Sequence, residues 1–462
     1  MVTWTPSLAD RPGPKYLRIA DALAEDIYAG RLNVGDKVPP HRDLAWRLGV
    51  TVGTVSRAYA EAERRGLLVG EVGRGSFVRA GARSAATLDM PSIGGPQTIE
   101  LAINRPPTAP AVKAFSEALM AQAVNPNLAE LMNYQSHTGL WDHRASGAAW
   151  LRQRGVDART ETVLVINGVE HGLAAAFMAL ADPGEAVLVE ELTWSGTRAL
   201  ASLMGLRLKP VKMDDEGLDP DAFEAACKST GARLVYLNPN IHNPTSTVLA
   251  EDRRQRIADI AQTHNVTIIE DDVYGFLMPN GPPPLAAYAP DHTVYVTGAS
   301  KVMAPTLRVG FARMPENRVG RFSAAARAAN WMAPPVLAQI VADWIEDGTA
   351  GRLAAAILAD VERRQAIARR CLGGAQFRMA PGSFHLWLTL PEPWRAQEFV
   401  DAGRGRNLSL AATDLFVPGR AETPHAIRVS VTAPTDLGDL EEGLNRLRDL
   451  LSGQPEPCLA VA

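Results

Sequence analysis

The 462-residue chain is too long for one ordinary hydrophobic core, so its length predicts two or three domains. Hydrophobic residues make up 46% of it and charged residues 21%, a balance that excludes a disordered or fibrous protein. Cys227, Cys371 and Cys458 lie far apart, so we expect neither a disulfide framework nor a metal site. No apolar run is long enough to span a bilayer and no signal peptide is evident, which predicts a cytoplasmic protein without a membrane partner.

The net charge of −4 is unevenly divided along the chain. Residues 1–80 carry 12 Lys and Arg against 9 Asp and Glu, whereas the remainder carries 35 against 42. A mildly basic N-terminal part on an acidic body fits a nucleic-acid contact at that end. Because the asymmetry is small, it supports this interpretation only together with the motifs.

Three helices followed by a hairpin are predicted within residues 12–80. Apolar residues recur at helical spacing, Thr51 is a good N-cap for the third helix, and Gly49 marks the turn before it. This order of elements is that of a winged helix-turn-helix domain. The helical patterns cover 15–28, 42–48 and 51–66, and the strands cover 67–71 and 76–78.

The remainder of the chain predicts a linker and a large α/β domain. Residues 81–97 are rich in Gly, Pro and small side chains without a sustained period, which indicates an interdomain linker. Over 98–455, strand-like runs alternate with helical patterns, which predicts a mainly parallel sheet followed by a smaller α+β lobe from about residue 344. The strand-like runs lie at 163–166, 186–189, 206–211, 234–237, 266–269 and 294–296, with 385–390 and 427–431 in the smaller lobe.

The string GDKVPPHRDLAWRLGVTVGTVSRAYAEAERRGLLVGEVGRGSFV resembles the GntR-type winged helix, and the resemblance covers about residues 15–79. In that fold the second helix of the pair enters the major groove of DNA. Val52 and Pro40 depart from the family pattern, so no base preference is implied. The alternative is a winged helix that binds another protein. The resemblance implies that the DNA-facing residues are Arg42, Thr51, Thr54, Ser56, Arg57 and, in the wing, Arg74.

Three motifs in the large domain resemble the pyridoxal 5′-phosphate (PLP) site of fold-type-I aminotransferases. They are VTGASKVMAPTLRVGF, IIEDDVYGF and NPNIHNPTST, the last with Ser246 where the family has glycine. PLP requires a lysine for the Schiff base, a carboxylate for the pyridinium, donors for the 3′-oxygen and a phosphate cup. The resemblance assigns the Schiff base to Lys301 and the pyridinium carboxylate to Asp271. It assigns the 3′-oxygen donors to Tyr274 and Asn243, and the phosphate cup to Ser300 and Arg308.

Three further motifs match the family's cofactor contacts. INGVEHGL places Gly168, Val169 and Glu170 at a helix N-terminus, where backbone N–H groups and the helix dipole favour a phosphate. EELTWSG places Trp194 where the family has an aromatic ring stacked on the pyridine. Tyr134, in NYQSHTGL, matches the tyrosine that reaches the phosphate of the partner subunit.

Two residues are implied to bind substrate. Arg428, in AIRVSV, matches the arginine that clamps a substrate α-carboxylate in a bidentate pair. Asn104, in INRPP, lies where the family's N-terminal segment borders the substrate pocket.

The fusion of the two domains resembles the MocR subfamily of bacterial regulators over nearly the whole chain. The resemblance implies a PLP-dependent transcription regulator that senses PLP, an amino acid or an amine through an aldimine on Lys301. It also implies a homodimer that reads DNA with paired half-sites. The rival is a working class I/II-type aminotransferase with an appended DNA-binding domain, and partial transamination is chemically possible in either case. A PLP-free scaffold conflicts with the intact Lys301 and Asp271.

Overall fold

The computed structural model divides the chain into two units, Met1–Met90 and Pro91–Ala462. It describes residues 4–6, 14–28, 31–32, 36–64, 67–71, 75–78, 97–418 and 424–453. The predicted linker, apart from Gln97, and Arg74 of the predicted wing lie outside these residues. Among the helices so described, none is long and apolar enough to cross a membrane.

The first unit is a winged helix, as predicted. Buried Ile19, Leu23 and Ile27 recur along one face of the first helix and form the core together with the other two helices. The second helix ends at Gly49, whose φ of 59° is left-handed. The elements are α1 (Lys15–Tyr28), α2 (His41–Leu48), α3 (Val52–Arg64) and an antiparallel hairpin of β1 (Leu68–Glu71) and β2 (Gly75–Val78).

The second unit is built on a seven-stranded sheet, which confirms the predicted α/β class. Its spatial order is β4-β12-β11-β10-β9-β5-β6, and all strands run parallel except β12, which is antiparallel to both neighbours. The sequence analysis did not predict β12, because its first residues belong to the motif around Lys301 and were interpreted only as part of that motif. The strands are β4 (Val163–Ile166), β5 (Ala186–Glu190), β6 (Arg207–Val211), β9 (Leu234–Leu237), β10 (Thr267–Asp271), β11 (Thr293–Gly298) and β12 (Gly310–Arg313).

Helices cover this sheet and bury its apolar side chains in three adjoining cores. Fully buried strands such as β4 and β9 carry apolar residues without alternation because both faces of the sheet are covered. A short hairpin of β7 (Met213–Asp214) and β8 (Gly217–Leu218) follows β6. The helices are α4 (Ala109–Ala123), α5 (Leu128–Leu131), α6 (Trp141–Arg152), α7 (Val169–Leu180), α8 (Ser195–Leu203), α9 (Pro220–Thr230), α10 (Glu251–Thr263), α11 (Leu285–Tyr288), α12 (Val319–Ala329) and α13 (Pro335–Glu346).

The smaller lobe is an antiparallel four-stranded sheet with helices packed on it. Its strand order is β13-β14-β17-β16, and it encloses a separate apolar core. A parallel pair of β3 and β15 joins the beginning of the unit to this lobe. The elements are β3 (Ile99–Glu100), α14 (Thr349–Cys371), β13 (Phe377–Arg378), β14 (His385–Thr389), α15 (Ala396–Gly405), β15 (Leu408–Ser409), β16 (Ala411–Ala412), β17 (Ala426–Ser430) and α16 (Leu437–Leu451).

Candidate functional site

The carboxyl ends of the parallel strands carry the first group of predicted site residues, as expected for an open α/β sheet. Asp271 is the last residue of β10, and its Oδ2 accepts a 2.8 Å hydrogen bond from the hydroxyl of buried Tyr236 on β9. Its other oxygen, Oδ1, is buried and has no hydrogen-bond partner among the described residues. Burial raises the pKa of Asp271 to about 7, although the Tyr236 bond acts in the opposite direction.

Lys301 lies in the turn that follows β11 and is half-buried. Its Nζ donates a 2.7 Å hydrogen bond to the backbone oxygen of Asn104. Burial, followed by the nearby Arg428 guanidinium, lowers the pKa of Lys301 to about 8. A lysine with this pKa is partly neutral near pH 8, which is the form that attacks a carbonyl carbon.

Tyr274 lies close to Asn104 and His385. The Tyr274 hydroxyl accepts a 3.2 Å bond from Asn104 Nδ2, so its own proton is free to donate elsewhere. Asn104 Nδ2 is also 2.9 Å from His385 Nδ1, and His385 Nε2 is 3.2 Å from the backbone oxygen of His242. Burial holds the pKa of His385 well below its usual value, and the neutral tautomer with hydrogen on Nε2 satisfies both contacts. Burial also raises the pKa of Tyr274 to about 12.

Arg428 on β17 reaches the same site from the smaller lobe. Its Nη1 donates to Asn243 Oδ1 at 2.7 Å, and its Nη2 donates to the backbone oxygen of Ala102. The guanidinium lies over the Phe416 ring, 4.9 Å from its centroid. Its Nε is buried without a hydrogen-bond partner in the part of the chain that the structure describes. Burial lowers the pKa of Arg428 to about 10, so the group stays cationic near neutral pH.

The predicted phosphate cup is formed where α7 begins. Gly168 is the N-cap of this helix with φ of 76°, and a Cβ at that position would lie 2.8 Å from a guanidinium nitrogen of Arg308. The structure therefore brings Arg308 onto the helix N-terminus, and the left-handed φ together with this close approach requires glycine. Val169 and Glu170 form the first turn, and Ser300 is half-buried beside Lys301.

Trp194 and Tyr134 are placed differently from the residues above. Trp194 is half-buried at the N-cap of α8, where its indole ring leaves no room for a Cβ on Gly196. Its stacking on a cofactor ring stays a prediction. Tyr134 is 84% exposed and contacts the ring of Trp331, 5.7 Å away between centroids. It therefore faces solvent in the single chain rather than the Lys301 site.

The residues present fit PLP on three observations. Asp271 Oδ1 is a buried acceptor that lacks a donor, as a pyridinium N–H would supply. Asn243 uses its oxygen to accept from Arg428, which leaves its Nδ2 to donate to a 3′-oxygen. The Arg308 guanidinium lies beside Gly168 at the N-terminus of α7, so a fixed positive charge and a helix N-terminus meet there, as a phosphate requires.

Sequence reasoning missed two residues of this site, Tyr236 and His385. Both lie in strands that were predicted correctly, but their roles depend on partners far away in the chain, which are Asp271 for Tyr236 and Asn104 for His385. Tyr236 is in register with Ile269, and Asp271 is two residues further along β10 and therefore on the same face. The sequence did contain a signal for both residues. Each is a polar aromatic or titratable side chain within an otherwise apolar buried strand, which indicates a specific polar partner.

The DNA-facing residues predicted in the first unit lie around α2 and α3. Arg42 and Arg57 are exposed. Thr51 Oγ1 accepts the amide of Thr54 at 3.2 Å and lies 2.9 Å from the Thr54 hydroxyl, as in an N-cap. The Ser56 hydroxyl is 3.2 Å from His41 Nδ1. The arginines are thus free to meet phosphates, whereas the three hydroxyls already have intramolecular partners.

Comparison with protein families matches both units. The model described as aminotransferase class I and II matches residues 96–447. The model described as bacterial regulatory proteins, gntR family, matches residues 15–78.

Similar proteins carry both parts. An uncharacterized HTH-type transcriptional regulator of Bacillus subtilis (strain 168), YdeF, is 30% identical, and the match covers 97% of each chain. The vitamin B6 salvage pathway transcriptional repressor PtsJ of Salmonella typhimurium is 26% identical over 93% of this chain and 98% of that protein. The probable rhizopine catabolism regulatory protein MocR of Rhizobium meliloti is 26% identical over 73% of each.

Solved structures share the fold of the second unit. An archaeal alanine:glyoxylate aminotransferase has a TM-score of 0.71 at 21% identity, covering 78% of this chain and 91% of its own. The α-aminoadipate aminotransferase LysN of Thermus thermophilus has a TM-score of 0.69 at 24% identity, covering 77% of this chain and 92% of its own.

Proposed function

The chain belongs to the HTH-type transcriptional regulators that join a GntR domain, here called the head, to an aminotransferase class I and II domain. On that premise we propose that it is a PLP-dependent regulator whose DNA affinity responds to an amino acid or amine. The observation that carries this proposal is that Lys301 lies near enough to both Asp271, at the end of β10, and Arg428, on β17 of the smaller lobe, for both charges to act on its pKa. A site of this composition binds PLP and a carboxylate together.

Each residue has a distinct task in this proposal. When bound, PLP supplies an electrophilic carbon and an electron sink. Lys301 binds it covalently and holds or accepts a proton at Nζ, aided by its lowered pKa. Asp271 would offer its unpaired carboxylate oxygen to the ring nitrogen. Arg428 orients the effector through its carboxylate.

Donors and backbone groups complete the pocket. Tyr274 and Asn243 each keep one donor free for the 3′-oxygen, because their acceptor atoms are occupied by Asn104 and Arg428. Ser300, Arg308 and the amides of Val169 and Glu170 would hold the phosphate at the start of α7, where Gly168, whose own amide donates to the Ile166 oxygen, adds no side chain.

We propose that the working unit is a homodimer with Tyr134 acting across the two-fold axis. Large apolar side chains are exposed along residues 112–141, Tyr134 among them, and this exposure supports a second copy of the chain as the partner that covers them. They are Val112 (61% exposed), Leu119 (44%), Met120 (65%), Val124 (82%), Met132 (76%), Tyr134 (84%) and Trp141 (54%).

A two-fold dimer carries two GntR heads, so paired DNA half-sites follow from its symmetry. DNA binding also assigns the protein to the cytoplasm. In the head, Arg42 and Arg57 would meet phosphates, because they are exposed and cationic. Arg74 has the same proposed role in the wing.

The test is DNA binding at several salt concentrations with the full-length, PLP-loaded protein and a fragment selected from random sequence. Arg42→Ala should reduce the slope of log affinity against log salt by about 1, because one phosphate contact is lost. Arg31→Ala, an exposed arginine paired with Asp26, is the matched control and should leave the slope unchanged. Equal slopes for all three proteins would contradict the assigned DNA face.

Titration with amino acids tests the second half of the proposal. We expect L-amino acids to change the absorbance of bound PLP and the DNA affinity over the same concentration range. Sustained turnover with a keto acid, without any effect on DNA affinity, would instead favour the aminotransferase.

A further inference from the structure

The segment 99–104 connects the smaller lobe to the site. In the chain it comes shortly after residues 81–97, the predicted linker to the head. The amides of Ile99 and Leu101 donate to the backbone oxygens of Asn407 and Ser409, both at 2.9 Å. The Glu100 carboxylate accepts the amides of Ala102 at 2.6 Å and Ile103 at 3.2 Å. Glu100 therefore folds the segment into a turn whose carbonyl oxygens are left to bond elsewhere.

Those carbonyl oxygens are bound by the two cations of the proposed function. Arg428 Nη2 donates to the oxygen of Ala102, and Lys301 Nζ donates to the oxygen of Asn104 at 2.7 Å. The protein's own backbone thus contacts the groups that would receive a carboxylate and an aldehyde. Ala102 is buried in an apolar cluster with Phe416, so this arrangement is packed as well as hydrogen-bonded.

A carboxylate that pairs with Arg428 side-on uses Nε and Nη2. Nε is buried without a partner among residues 97–418 and 424–453, and Nη2 is the nitrogen that donates to Ala102. A bidentate pair on this side therefore competes with the Ala102 oxygen. Bonding of the Lys301 amine to PLP would remove the donor to Asn104, and a ligand amine that displaces Lys301 from PLP would return it, so the contact that distinguishes an amino acid from a simple amine is that of Arg428 with Ala102.

We infer that Arg428 holds the segment 99–104 through the Ala102 oxygen until the carboxylate of an amino acid takes that contact, and that the resulting loosening of the segment alters the DNA affinity of the head. This inference rests on the proposed function and narrows its effector class to amino acids with a free carboxylate. A simple amine engages the cofactor but leaves Arg428 bound to Ala102. The coupling needs no contact between the two units, since the segment is covalently continuous with the chain that leads to the head.

Hydrogen exchange of the full-length, PLP-loaded protein tests the release step. L-alanine and ethylamine are each added until the absorbance of bound PLP stops changing. We expect L-alanine to speed exchange in the peptide that contains residues 99–104 by about ten-fold, and ethylamine to leave it unchanged. If L-alanine changes the absorbance but not the exchange, the inference is wrong and the proposed function stands. If neither compound changes the absorbance, the proposed function fails.

Glu100→Ala tests the inference without a ligand. Loss of the two amide contacts should loosen the segment, so that this variant exchanges as fast without amino acid as the native protein does with L-alanine. Its affinity for the selected DNA fragment should shift toward the value of the alanine-saturated native protein. Glu100→Gln retains an acceptor oxygen at the same place and should behave like the native protein in both measurements. A loosened segment with unchanged DNA affinity in Glu100→Ala would overturn the coupling to the head.

Discussion

The two ends of the candidate site differ in whether their charged groups already have hydrogen-bond partners within the protein. At the Asp271 end, one carboxylate oxygen is bound by Tyr236 and the other is buried and unpaired. At the Arg428 end, the guanidinium is bound by Asn243 and by the backbone of Ala102. The unpaired oxygen of Asp271 can accept a hydrogen bond from a ligand without any rearrangement. At Arg428, by contrast, a ligand has to replace the backbone oxygen of Ala102.

This difference separates cofactor binding from effector sensing. A preorganised group adds affinity because nothing has to move when the ligand arrives. A group that exchanges an internal partner for a ligand gains less affinity, but the exchange is a differential contact that can shift a conformational equilibrium. We therefore expect changes at Lys301 and Asp271 to alter PLP binding and changes at Arg428 to alter the response to amino acids.

Loss of the lysine should have the largest effect. Lys301→Ala removes the amine that binds PLP covalently, so no borohydride-reducible PLP should remain on the protein. Absorbance and mass spectrometry after reduction measure this. Lys228→Ala, an exposed lysine paired with Glu224, is the control and should retain full labelling. A reduced adduct in the same pocket of Lys301→Ala would show that the lysine is wrongly assigned.

Arg428→Gln should weaken amino acid binding by about 100-fold, which is the loss expected from a buried charge-assisted pair of roughly 3 kcal/mol. Covalent PLP uptake should survive, because Arg428 belongs to the other end of the site. Titration of the PLP absorbance with L-alanine gives both quantities. The control is Arg395→Gln, at an arginine of the smaller lobe whose side chain is 53% exposed. If PLP uptake falls as much as amino acid affinity, the two ends are not separable.

PLP uptake by the apoprotein should depend on pH with a midpoint near 8. Because burial lowers the pKa of Lys301 to about 8, the neutral amine increases about ten-fold between pH 7 and 9 and then levels off. A lysine with the usual pKa of 10.5 would keep gaining neutral amine beyond pH 10. Stopped-flow absorbance measures the rate, and a free lysine derivative in the same buffers corrects for the ionisation of PLP. A rate still rising steeply at pH 10 would contradict the desolvated site.

Tyr236→Phe should have the smallest effect. It removes one hydrogen bond to the Asp271 carboxylate while retaining the ring, and a bond to a charged acceptor contributes about 1.5 kcal/mol, so PLP affinity should fall about ten-fold. Tyr295→Phe is a close match, because buried Tyr295 donates a 2.6 Å bond to the adjacent Asp272. We expect PLP affinity to be unchanged in that variant. Equal losses in both would indicate a general effect of packing rather than positioning of Asp271.

Local patterns in the sequence determined the architecture of this protein. Buried positions at helical spacing predicted α1 with the bounds that the structure has, and the apolar runs of β4 and β9 were likewise correct at both ends. These features depend on neighbours within a few residues, so periodicity and turn residues are sufficient. The strand β12 was missed because its antiparallel place between β4 and β11 is set by pairing partners far away in the chain.

The resemblance of the motifs to those of a known family predicted Lys301, Asp271 and Arg428 as site residues. The structure places all three in one hydrogen-bonded region. The tertiary structure alone decided what each of them contacts. Tyr236 meets Asp271 only through the register of β9 and β10, and the backbone oxygens of residues 102 and 104 meet Arg428 and Lys301 across about 200 to 330 residues of chain. A backbone carbonyl has no residue-specific signature in sequence, so contacts of this kind become visible when the two lobes are folded together.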